Sequence, residues 1–134
     1  MKPVIEPIYP PNVRKGGTYS PAVRVGGFLY VSGMTSVDEN REIVGKNDMA
    51  AQARFIYQKI SKVLAAAGVG FDKIVETTDY VTTLEGYSET ADVRREVFGD
   101  GPYPASTGVQ VVGLVRPDAL IEIRVVAYLG ETSK

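Results

Sequence analysis

Residues 119–129, ALIEIRVVAYL, alternate at period two. Ile121, Ile123, Val125, Ala127 and Leu129 point to one side, and Leu120, Glu122, Arg124, Val126 and Tyr128 to the other. This reads as a strand with one wholly apolar face. A carboxylate and a guanidinium in so apolar a strand are costly to bury without partners, so the second face must meet solvent, a cleft or another subunit. A second apolar run, residues 106–114, precedes it, and the turn-forming Arg116-Pro117-Asp118 lies between them. The two runs are expected to pair as a β-hairpin.

Earlier in the chain the pattern supports a sheet covered by helices. Pro3, Pro7, Pro10, Pro11, Gly16 and Gly17 leave room for no more than an edge strand near the start. Two short β-rich runs, 20–25 and 28–32, flank Gly26-Gly27, a two-residue hairpin signal. Ile43-Val44 is a short apolar run that could extend the sheet. From Asp48 the period lengthens: Gln52, Ile56, Ile60, Val63, Leu64 and Ala67 predict a helix, with Asn47 or Asp48 as its cap and Gly68 as its stop. Residues 74–82 are rich in β-branched side chains and predict a strand, in which Asp79 falls in the register of Val75, Thr77 and Val81. A strand end or an interface would account for that aspartate. A second helix is expected over 85–98, broken by Gly99-Asp100-Gly101-Pro102. Hairpin, helix, strand, helix, hairpin describes a two-layer α+β fold, one mixed sheet with two helices on one face. The other face has no cover within the chain, which is a reason to expect assembly through it.

A chain of 134 residues with 44% apolar content fits one domain spanning residues 1–134. The formal net charge of −1, without a Lys/Arg cluster, gives no footprint for nucleic acid or an anionic membrane. No apolar run approaches the roughly 18–20 residues of a membrane span and no signal-peptide core is visible, so a cytoplasmic location is expected. There is no Cys and no His. This removes thiol nucleophiles, Ser-His-Asp and Cys-His mechanisms in their usual form, and the common zinc ligand sets. Catalysis must use carboxylates, phenols, amines, guanidinium groups, hydroxyls, backbone amides or water. That toolkit suits hydration or proton transfer on a reactive substrate, and plain binding equally.

The segments YSPAVRVGGFLYVSGM, AAQARFIYQKISKVLAAAG, IVETTDYVT, RREVFG and PASTGVQVVGLVRPDALIEIRVVAYLG resemble, in that order and over nearly the whole chain, the Rid family, also called YjgF/YER057c/UK114. The resemblance implies a chorismate-mutase-like α+β protomer, a homotrimer with its sheets packed inward, and clefts between subunits that hold a small metabolite. It implies hydrolytic deamination of reactive enamines or imines, with neither a metal nor an organic cofactor. Residue by residue, it implies that Glu122 positions or activates water, that Tyr19 and the backbone of Gly33 line the cleft, and that Thr107 contributes a hydroxyl.

At Ser106 the sequence departs from the deaminating members, which hold a substrate-binding arginine there. A hydroxyl cannot mimic a bidentate guanidinium–carboxylate contact, so an atypical substrate preference is expected. Arg124, on Glu122's side of its strand, or Arg116 in the adjoining turn could supply the cation instead. The bland alternatives are a salt bridge for Arg124, wall packing for Tyr19, and a non-catalytic metabolite-binding trimer for the whole protein.

Overall fold

The computed structural model describes residues 4–130. Six strands and two helices follow one another as β1 (Glu6–Ile8), β2 (Ala22–Val25), β3 (Phe28–Val31), α1 (Met49–Ala66), β4 (Ile74–Val81), α2 (Thr90–Phe98), β5 (Ala105–Gln110) and β6 (Ile121–Tyr128). The strands form one mixed sheet in the order β1-β2-β3-β6-β4-β5. All neighbours are antiparallel except β4 and β5, which run parallel. Both helices lie on one face, as the alternation of β6 requires.

The C-terminal hairpin expected from sequence does not form. β6 inserts between β3 and β4, while β5 lies beyond β4. Two physical reasons separate them. Residues 111–120 are long enough to pass over the end of β4, and α2 carries the chain back before β5 enters, which makes β5 parallel to β4. The strand with most to bury then takes the centre: Ile121, Ile123, Val125 and Ala127 are at most 1% exposed, whereas every residue of β5 is exposed at the edge. Ile43 makes only an isolated bridge to Val37 and adds nothing to the sheet.

α1 is capped by Asp48, whose carboxylate accepts from the Ala51 amide at 3.0 Å. Its buried stripe, Met49, Gln52, Ala53, Ile56, Tyr57, Ile60, Val63 and Leu64, has the three-and-four spacing of a helix covering a core. It meets Leu29, Val31, Ile121, Ile123 and Val125 from the sheet. Phe55, beside this stripe, is only half-buried. Gln52 is polar yet fully buried, because its amide donates to the carbonyls of Gly45 and Asp118 and accepts from the Leu120 amide. One side chain thus ties α1 to the turn that leads into β6. α2 begins later than expected: Gly86 is left-handed, and the short 3-10 turn Tyr87–Glu89 precedes Thr90.

Asp79 is neither at a strand end nor at the surface. A register shift between Ile74 and Glu76 turns Val75 outward and leaves Thr77, Asp79 and Val81 facing the helices. Asp79 is 2% exposed, accepts from the Tyr87 phenol at 2.8 Å and lies 3.7 Å from Arg94.

Candidate functional site

The open face of the sheet carries Glu122. It stands opposite Tyr80 of β4, with apolar or half-exposed side chains on either side. On its other flank lies the segment after β3, where Met34 exchanges two backbone hydrogen bonds with Ile123, at 2.9 and 3.0 Å. That bridge sets Gly33 directly against Glu122. A Cβ at residue 33 would run into the Glu122 carboxylate, so only glycine allows the present side-chain position.

The helix side fixes this contact. Lys59 of α1 donates to the carbonyls of Thr35 and Val37 at 2.7 and 2.9 Å, pinning the strand-like stretch that holds Gly33 in place. Burial, with the nearby charge of Arg116, pushes the Lys59 ammonium down to about 8. Glu122 itself has neither a hydrogen bond nor an ion pair among the described residues. An uncommitted carboxylate on an open sheet face can accept a proton from a water molecule or hold one.

The register places the other candidate residues. Thr107, Thr78 and Arg124 form a row across β5, β4 and β6 on the same face as Glu122. Arg124 does not pair with Glu122; its guanidinium lies 4.0 Å from Glu76, and both side chains are well exposed. Ser106 lies on the opposite face. It is in register with Thr77, which faces the helices, so Ser106 and Glu122 of one chain point away from each other. Tyr19, 76% exposed, stands on the loop before β2. The hydrogen bonds from Ser32 to the carbonyls of Ser20 and Pro21 bring that loop's end alongside the Gly33 segment. Arg116 lines a separate cleft of about 320 Å³, together with Val37, Arg41, Glu42, Ile43, Lys46, Pro117 and Asp118. Among the described residues no helix is long and apolar enough to cross a membrane, and no cluster of acidic side chains is gathered as a metal site.

The chain and its fold have known counterparts. Residues 12–129 match the protein family described as Endoribonuclease L-PSP. The chain is a member of the Rid family. The 3-aminoacrylate deaminase RutC of Acinetobacter baylyi is 37% identical over 111 residues, covering 83% of this chain and 86% of that protein. A RutC family protein of Saccharolobus solfataricus is 39% identical over 112 residues, covering 83% of this chain and 86% of its own. Among solved structures, the Rid protein YyfA of Yersinia pestis superposes with a TM-score of 0.84 at 33% identity, covering 92% of this chain and 98% of that one. A Mycobacterium tuberculosis member of the YjgF/YER057c/UK114 family does so with a TM-score of 0.70 at 34% identity, covering 82% and 86%. The Rid fold, a chorismate-mutase-like sheet with two helices on one face, is therefore the fold of this chain.

The sequence did not single out Arg94 and Tyr87, which surround Asp79 on the helix side of the Rid sheet. Asp79 in an apolar register was the available signal that a partner must exist. Which residues answer it depends on how α2 packs, and helical spacing alone does not give that.

Proposed function

We propose that this protein is a hydrolytic deaminase of small, reactive enamines or imines, acting at sites shared between copies of the chain. The observation that carries this reading is Glu122, a carboxylate without a partner among the described residues, held against Gly33 on the open face of the sheet. The Acinetobacter relative deaminates 3-aminoacrylate, an enamine, which supports the reaction class.

In the reaction, an enamine first tautomerises to the imine, gaining a proton on carbon from solvent and losing one from nitrogen to solvent. Glu122 takes a proton from water as the water oxygen attacks the imine carbon, and returns it to nitrogen. The carbinolamine then collapses to a carbonyl compound and ammonia. Backbone amides near Gly33 and Thr107 stabilise the developing charge. Tyr19 forms a wall of the cleft.

The opposed directions of Ser106 and Glu122 support a shared site, because a cleft containing both needs the helix-side edge of one copy and the open face of another. Phe28, Tyr30 and Tyr128, each about 40% exposed on the open face, are what a second copy would cover, and a homotrimer in the cytoplasm is the assembly proposed. Ser106 also favours a second reading, a binding trimer that holds a metabolite without turning it over.

Ammonia release separates the two. With imines generated in place by an amino-acid oxidase, the wild type should accelerate ammonia release, and Glu122→Gln should lose about 10²–10⁴-fold, the usual range for a general base. Gly33→Ala, which displaces the same carboxylate, should lose on the order of 10²-fold. Binding without acceleration in the wild type would establish the second reading.

A further inference from the structure

The open face does not hold the only unusual group of side chains. On the helix side of β4, five polar residues meet at the exposed edge of the sheet. Tyr87 donates its phenol to Asp79 Oδ2 at 2.8 Å, and the Thr90 hydroxyl donates to the Tyr87 carbonyl at 2.6 Å. Arg94 lies with its Cζ 5.8 Å from the Tyr87 ring centre; its Nη1 donates to Thr90 Oγ1 at 2.8 Å and sits 3.7 Å from Asp79 Oδ2. Thr77 lies beside Asp79 on the same face. The guanidinium is therefore fixed in three directions, yet the side chain remains 26% exposed.

The cluster lies beside the edge strand. Asp79 is in register with Gly108, and Thr77 with Ser106, so these two small residues of β5 are what flank the cluster at the sheet edge. A Cβ at residue 108 would lie 2.5 Å from the Tyr87 hydroxyl, so any larger residue there would displace that phenol. The contacts of Arg94 to Thr90 and Asp79 both use Nη1. Its Nε–Nη2 side, the side that grips a carboxylate with two parallel hydrogen bonds, has no partner among the described residues. Beside it, Asp79 Oδ1 and Thr77 Oγ1 are fully buried and unpartnered, and their residues are at most 2% exposed. Buried polar atoms without partners mark hydrogen-bonding positions that a ligand or water is built to fill.

We propose that Arg94, presented past Ser106 and Gly108 at the edge of β5, is the residue that binds the substrate's carboxylate, so that the substrates are enamines or imines carrying one. This rests on the deaminase reading above, and it places Arg94 of one copy opposite Glu122 of another. Two other arginines lie away from this cluster. Arg124 stands on the opposite face beside Glu76, and Arg116 lines the separate cleft around Arg41 and Lys46. Asp79 holds Arg94 on its Nη1 side, away from the side offered to the ligand, and acts as a positioning residue.

The test measures binding without turnover, using pyruvate and its neutral analogue pyruvamide in NMR titrations of the full chain. Wild type should prefer pyruvate. Arg94→Gln should weaken pyruvate by about 10- to 100-fold, the scale of hydrogen bonds to a charged group, and leave pyruvamide unchanged. Arg94→Lys, which keeps the charge and loses the fork, should recover part of the preference. Thermal unfolding of each variant reports whether it is folded. Should Arg94→Gln perturb the fold, Arg94→Lys and Asp79→Asn carry the comparison. Equal weakening of acid and amide, an unchanged affinity for pyruvate, or no preference in wild type would each overturn the proposal. Arg94-dependent pyruvate binding in a protein that releases no ammonia would sustain the carboxylate seat and overturn only the deaminase reading.

Discussion

Two arginine–carboxylate pairs stand on β4, three residues apart and on opposite faces of the sheet. Asp79 and Arg94 lie 3.7 Å apart on the helix side, and Glu76 and Arg124 lie 4.0 Å apart on the open side. The separations are similar and the surroundings are not. Asp79 is 2% exposed and bonded to a phenol, while Glu76 is more than half exposed and shares its arginine with solvent. The closed face fixes charge in a set geometry, and the open face leaves charge free to meet something from outside the chain. Position on the sheet decides what each pair can do.

The strongest check on this contrast uses adjacent residues of β3. Leu29 is fully buried against α1, and Phe28 is 40% exposed and tilted against Tyr128 at 5.3 Å between ring centres. Leu29→Ala should cost about 2–5 kcal/mol in denaturant unfolding, the range for truncating a buried leucine. Phe28→Ala should cost about 1 kcal/mol or less in an isolated chain, the scale of one aromatic pair. If copies cover the open face, its cost will grow with protein concentration, since assembly stabilises only the folded, associated form. A concentration-independent loss as large as that of Leu29→Ala would mean that the two faces are equally closed within one chain.

The same contrast explains what could be read from the sequence. The two helices, the β2–β3 hairpin and the outward direction of Glu122 and Arg124 followed from periodicity, because period and burial are local properties. Strand order did not follow. Residues 106–114 and 119–129 look like a hairpin when only their apolar content and the Arg116-Pro117-Asp118 turn are weighed. What sends β6 to the centre is competition among strands for the most buried place. The side to which Ser106 points was unreadable for the same reason, since a residue's face depends on its register with β4. Glu122 was legible because it interrupts an apolar alternation. Arg94 was not, because an arginine on a short polar helix carries no such mark.

A smaller effect distinguishes the closed-face pair by pH. Burial, the first cause, raises the Asp79 carboxyl above the ordinary 3.8, and the phenol of Tyr87 and the charge of Arg94 only partly oppose it. A carboxyl whose folded-state value is raised binds its proton more tightly when folded. Its stabilising contribution is complete below the unfolded value and is lost as pH rises through the folded one. Asp79→Asn, which keeps an acceptor for Tyr87 and cannot titrate, should therefore match wild type near pH 3.8 and exceed it above the raised value. Unfolding midpoints measured from pH 4 to 8 check this, and a variant that loses stability as pH rises would show that Arg94 compensates Asp79 fully.

The smallest effect is the most informative about the open face. A double-mutant cycle on Glu76→Gln and Arg124→Gln should give a coupling below about 0.5 kcal/mol at low concentration, falling further with salt, as for exposed pairs whose side-chain entropy offsets their attraction. Their 4.0 Å separation and mutual exposure leave no reason for more within one chain. A second copy laid over this face would change the local dielectric and exclude the screening ions, so the coupling would rise and its salt dependence would weaken. The cycle thus reads the cover directly. A coupling that stays small at every concentration places Arg124 at a solvent-filled rim, where it remains available to a ligand; one that grows with concentration places it inside a subunit contact.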